Sequence, residues 1–235
     1  MMKESLYAEP PRRLTSGTDA GIIATETATT HRYIITGGPG SGKSTLVAML
    51  EARGHRCYPE VSRELIRREA RRPDGVMPWT DLETFARLAF AEMLLQHNHA
   101  EESGKICFFD RGIPDIFGYM RKSGLDIPPN YLEAHEACSY ECMVFILPPW
   151  PEIYVNDSER PQSPEEAEAL HHAIREVYES LGYDLIEVPR ITVEARCEFV
   201  LWKLQQGKKA NLRFNPKPNL HLPCRSSTLA ETTTP

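Results

Sequence analysis

Nine consecutive residues carry the densest chemistry in the chain: Gly37, Gly38, Pro39, Gly40, Ser41, Gly42, Lys43, Ser44 and Thr45. They fit the pattern GxxxxGK[ST], with Gly37, Gly42, Lys43 and Ser44 at its fixed positions. Glycines let a backbone turn successive N–H groups inward as an anion nest, at dihedrals that a β-carbon resists. A helix opening at Lys43 adds the positive end of its dipole to the same place. A lysine so placed reaches the outer phosphates of a nucleotide, and the serine hydroxyl beside it can ligate Mg²⁺. The apolar "RYIIT" before the glycines and "TLVAML" after them supply the strand and the helix that the pattern requires. The stretch predicts a nucleotide-binding loop.

Three other clusters could act on what the loop holds. Asp110 ends the apolar run "KICFFD", where a carboxylate can hold Mg²⁺ through water. Arg111 beside it either grips an acceptor or phosphate, or pairs with an acid in the helix behind. Glu60, Arg63 and Glu64 follow a short strand, where open α/β sheets gather their chemistry. They can face a hydroxylated acceptor, or form an ordinary charged first helical turn. The proline-rich "PPWPEIYVNDSERPQ" reads as a lid that would carry Arg160 over the phosphates as an arginine finger. His171 and His172 have no metal-ligand partner at suitable spacing and read as surface or packing residues.

Alternating elements must position these groups. Arg32–Gly37, His55–Pro59, Lys105–Asp110, Cys142–Pro148 and Tyr183–Pro189 read as strands, the apolar ones of buried parallel type. Helices fall at Lys43–Arg53, residues 61–72, Asp81 to about Glu102 and within Pro114–Ser139. Thr80 with Glu83 is a capping-box signature, and Ser163-Pro164-Glu165-Glu166 opens a further helix that reaches Leu181. Thr192 caps the last one. Five strands with helices between them imply a three-layer α/β fold around a parallel sheet. "DIFG" at Asp115 resembles a GTPase DxxG but lies inside an expected helix.

Composition limits the alternatives. The chain has 235 residues, 41% hydrophobic and 26% charged, enough for one domain with a core. A net charge of −6 argues against a nucleic-acid partner. Six scattered cysteines without a CxxC pair suggest free thiols in a reducing compartment, hence the cytoplasm. No run approaches a membrane span. The expected boundaries are a disordered arm over 1–31, the nucleotide-binding domain over 32–206, and a disordered tail over 207–235 that is basic and Ser/Thr-rich. That tail can contact an anionic membrane weakly or simply be solvated.

"GGPGSGKST", "EVSRE", "FFDRGIPD" and "LPPWPEIYVNDSERPQ" together resemble the NadR/Ttd14-type P-loop domain family, described as AAA-like ATPases and related to nucleoside and nucleotide kinases. The resemblance covers about Arg32 to Gln206. It implies a sheet of order 2-3-1-4-5 and nucleotide binding by Gly37 to Thr45. It also implies Mg²⁺ and transfer roles for Asp110, Arg111 and Arg160. Two functions fit. One is a kinase moving the γ-phosphoryl of ATP, with Mg²⁺, onto the hydroxyl of a small, nucleoside-type acceptor. The other is an ATP- or GTP-dependent switch or slow NTPase acting through a protein or phosphoinositide partner. ATP is favoured because no NKxD stretch reads guanine, with GTP possible through the family.

Overall fold

A computed structural model describes residues 29–100, 104–153 and 163–214. Its elements run β1 (His31–Gly37), α1 (Lys43–Ala52), β2 (Arg56–Tyr58), α2 (Val61–Glu69), α3 (Leu82–Asn98), β3 (Ile106–Asp110), α4 (Ile113–Lys122), α5 (Pro129–Glu136), β4 (Tyr140–Leu147), α6 (Pro164–Ser180), β5 (Asp184–Glu187) and α7 (Val193–Phe214). The strands form one parallel sheet in the order β2-β3-β1-β4-β5, the order the family resemblance implied.

Side chains alternate along the sheet and split the core in two. Ile35, Phe108 and Phe145 face one side, where Leu46 and Leu50 of α1 and Cys197, Val200 and Leu204 of α7 cover them. Ile34 and Val144 face the other, under Leu170, Ile174 and Tyr178 of α6. Because both faces are covered, the central strands are unbroken apolar runs rather than alternating ones.

Several local expectations change. The cap of α3 is Asp81, whose carboxylate accepts from the Thr84 N–H at 3.0 Å; Thr80 instead bonds to Met77. The helical material expected within 114–139 is two helices, α4 and α5, parted around Gly124 and the Pro128-Pro129 pair, since proline cannot continue a helix. Ser163 and Glu166 form the expected capping box, and Thr192 accepts from the Ala195 N–H. α7 runs on to Phe214, past the boundary placed at Gln206. Cys57, Cys107, Cys138 and Cys197 are free thiols as expected, but Cys142 is disulfide-bonded. No helix among the described residues is long and apolar enough to cross a membrane.

"DIFG" does lie in a helix, and its glycine has a packing reason. A β-carbon on Gly118 would sit 2.7 Å from Ile174 Cγ1 and 3.0 Å from Ile174 Cα, so α4 and α6 meet there almost backbone to backbone. Gly118→Ala gains ~1 kcal/mol of helix propensity but meets an overpacking cost of ~1–3 kcal/mol. The expected net is a loss of about 1 kcal/mol, a fall of roughly 2–4 °C in melting temperature. Thermal denaturation showing a gain would mean that the two helices are not in this contact.

Candidate functional site

The loop is shaped by its neighbours as much as by its own glycines. Gly37 has φ 138° and lies where a β-carbon would strike the Leu147 carbonyl of β4. Gly42 closes the loop at φ 81° and serves as N-cap of α1. On the other side, a β-carbon on Gly38 would come within 2.9 Å of the Ala167 carbonyl and 3.6 Å of His171 Cβ. His171 is thus a buried packing residue under the loop, while His172 is exposed. Ser41 Oγ donates to the Gly38 carbonyl at 2.9 Å and tightens the bend. Lys43 is buried, and its Nζ donates to the carbonyls of Gly37 and Gly38 at 2.9 and 3.0 Å. Ser44 and Thr45 stand exposed at the first turn of α1.

Pairing of β1 with β3 puts Ile35 opposite Asp110, so the acid and the loop emerge side by side, as expected. Asp110 is buried, and its Oδ1 has no hydrogen-bond partner. Arg111 is the non-glycine residue with positive φ among the described residues, at 74°, and that turn folds its guanidinium back under the loop. There Nε donates to Glu60 Oε1 at 2.8 Å, while Nη1 donates to Asp115 Oδ1 at 2.8 Å and to the Gly37 carbonyl at 3.1 Å. Of the two readings of Arg111, the geometry gives the ion pair with an acid behind. Asp115, on α4, also accepts from Thr36 Oγ1 at 2.6 Å, the Gly112 N–H at 3.0 Å and the Tyr178 hydroxyl at 2.7 Å.

The charges interlock. Burial alone would raise the Glu60 carboxyl, but Arg111, then Lys43 and Arg63, hold it down to about 2. Burial and then Glu60 push Asp110 up to about 6, against Lys43 and Arg111. Lys43 is drawn down to about 8 by burial and by Arg111. Of these two acids, Asp110 is the one whose charge the protein compensates less.

Two clefts flank the loop. One, of about 450 Å³, is bordered by Gly40 to Thr45, Trp150, Ile191 and Arg196. The Arg196 guanidinium lies 5.1 Å from the Trp150 ring centroid, and its Nη1 reaches the Ser41 carbonyl at 3.4 Å. The other cleft is lined by Glu60, Trp79, Phe85, Arg111 and Tyr119, gathered from the β2–α2 junction, the approach to α3 and α3 itself, the turn after β3, and α4. Sequence reasoning named Glu60 and Arg111 there but missed the three aromatics, because nothing in their spacing links them. It also missed Asp115 as the hub, although the residue closes the quoted "FFDRGIPD". Arg160 lies outside the described residues. Among those residues no group of three or more His, Cys, Asp or Glu side chains could hold a metal ion by itself.

The AAA domain family profile matches residues 32–196. The chain belongs to that family. No curated protein matches the sequence significantly. Among solved structures, NadR in complex with NR aligns with TM-score 0.57 and 16% identity, over 77% of this chain and 52% of that one. Deoxyadenosine kinase from M. mycoides with bound dATP aligns with TM-score 0.51 and 18% identity, over 74% and 99%. Thymidylate kinase from Ehrlichia chaffeensis gives 0.52 and 16%, over 75% and 100%. At these identities the likeness is one of fold.

Because Asp110 ionises near 6 in the native state and near 3.9 in an unfolded chain, its ionisation costs stability. The native state keeps full stability from this group below about pH 4 and loses it as pH rises through about 6. Asp110→Asn escapes the loss. In EDTA without nucleotide, the variant should be about 1–3 kcal/mol more stable than the parent at pH 8 and nearly equal to it at pH 4. Denaturant melts at the two pH values check this. A variant less stable at pH 8 would show that Lys43 and Arg111 already satisfy the carboxylate.

Proposed function

We propose that the protein is a Mg²⁺-dependent kinase that transfers the γ-phosphoryl of ATP to a hydroxyl of a nucleoside-type small molecule. The observation that carries this reading is Glu60. One of its oxygens is fixed by Arg111, while the other, Oε2, is buried without a hydrogen-bond partner in the wall of an aromatic cleft beside the phosphate loop. A nucleotide switch has no need of such a cleft. An anionic carboxylate with an open acceptor site suits an incoming hydroxyl, which donates a hydrogen bond and then a proton. It suits a phosphate monoester poorly, because a second anion would face the Glu60 carboxylate. Tyr119, Trp79 and Phe85 offer flat apolar faces for a ring.

The donor set fits Mg²⁺. This ion is usually held by one or two carboxylates together with substrate phosphates and water. Asp110 Oδ1 is a buried oxygen in want of a partner, and the Ser44 hydroxyl stands at the loop's exit. Asp110 and Ser44 would hold the ion, and Mg²⁺ would supply positive charge to offset that of the phosphates. The chain's own groups do the rest. The loop N–H groups and α1 seat the phosphates, Lys43 exchanges its two carbonyl bonds for phosphate oxygens, and Glu60 orients the acceptor hydroxyl and takes its proton. The cleft bordered by Trp150 and Arg196 has room for the base of the nucleotide, which we take as ATP; GTP is the alternative.

Incubation with MgATP and a panel of nucleosides and nucleoside monophosphates tests this. A nucleoside, and not its monophosphate, should drive ADP release. Glu60→Gln should lower that acceptor-dependent turnover about 10²–10⁴-fold, with ATP affinity changed less than about threefold. ADP release indifferent to every acceptor would favour the switch.

A further inference from the structure

Phosphoryl transfer concentrates charge at the point where donor and acceptor meet, and enzymes place a cation there. Lys43 is engaged with the loop carbonyls on the donor side. Arg111 is buried in bonds to Glu60, Asp115 and Gly37, and withdrawing it would strand two carboxylates. Arg196 belongs to the nucleotide cleft alone, stacked on Trp150. Arg63 differs from all three, because it lines both the nucleotide cleft and the aromatic acceptor cleft. It sits in the first turn of α2, one helical turn beyond Glu60. Its Nε stands 3.9 Å from Glu60 Oε2, and the side chain keeps 23% of its surface exposed. At that distance the contact is an ion pair rather than a hydrogen bond.

We propose that Arg63 is a catalytic residue: its guanidinium contacts the phosphoryl group as it passes from nucleotide to acceptor. This rests on the kinase reading above. In the step, the bond from the acceptor oxygen to the γ-phosphorus forms and the bond from that phosphorus to the bridging oxygen of ADP breaks. The hydroxyl proton goes to Glu60, and Arg63 stays protonated throughout. A planar fork can meet two phosphoryl oxygens at once, which a lysine cannot do. Before substrate arrives, the Glu60 carboxylate keeps the guanidinium at the junction.

The test compares Arg63→Ala and Arg63→Lys with the parent in two assays. In MgATP with the best nucleoside of the panel, Arg63→Ala should lower kcat about 10²–10³-fold. Its KM for the nucleoside should change less than about threefold, and Arg63→Lys should recover under a tenth of the lost rate. In calorimetric titration, Arg63→Ala should weaken the β,γ-methylene analogue of ATP about tenfold and leave ADP unchanged, since ADP lacks the group that Arg63 meets. Parental turnover in Arg63→Ala overturns the proposal while the kinase reading stands. So does an equal loss of affinity for ADP and the analogue with a lowered melting temperature, which is the mark of a structural residue. If no nucleoside supports ADP release by the parent protein, both fall together.

Discussion

One buried carboxylate organises the site. Asp115 accepts from Thr36, Arg111, the Gly112 N–H and Tyr178, so all four donors converge on two oxygens. Burying an ion costs several kcal/mol unless its hydrogen-bonding capacity is met, and here it is met in full. The four donors come from the end of β1, the turn after β3, and helix α6. A single side chain therefore fixes the relative positions of the strand ends that carry the phosphate loop and Asp110. It also fixes Arg111 in a left-handed backbone conformation, a strain of ~1–3 kcal/mol that persists only where surroundings over-determine it.

The charge pattern of the site follows from that anchor. Arg111 is held, so Glu60 is held, and Glu60 stays ionised throughout the physiological range. An ionised Glu60 then makes ionisation of Asp110 harder. The protein has put a compensated carboxylate next to an uncompensated one. The first keeps one oxygen without a hydrogen-bond partner, and so does the second, whose charge burial disfavours. The difference needs no residue of unusual type; it comes from one guanidinium hydrogen-bonding to Glu60 and not to Asp110.

The parts of this architecture that depend on local pattern were legible in the sequence. The loop is a contiguous motif, and its strand and helix are contiguous with it. The capping box at Ser163 was readable for the same reason. Asp110 was placed beside the loop because parallel strands deliver their ends to one edge. What could not be read depends on side chains from distant segments meeting in space. Trp79, Phe85 and Tyr119 become one wall only through the packing of α3 against α4. Asp115 looks like any helix-opening acid until Tyr178, 63 residues away, is seen to bond to it. The misplaced cap of α3 is a different failure. Thr80 and Asp81 are both good caps, and only the backbone decides between them.

The walls around the phosphate loop bear on how tightly a nucleotide can be held. Gly37 is pressed against the backbone of β4 and Gly38 against the backbone of α6, so the bend has little room to take another shape. A loop that must be ordered by its ligand gives up part of the interaction energy as lost chain entropy. This one is ordered in advance, with Lys43 standing in for the ligand by bonding to the same turn. Binding becomes an exchange of partners by one ammonium group rather than a folding event, and the affinity of the phosphates is free of that entropic tax.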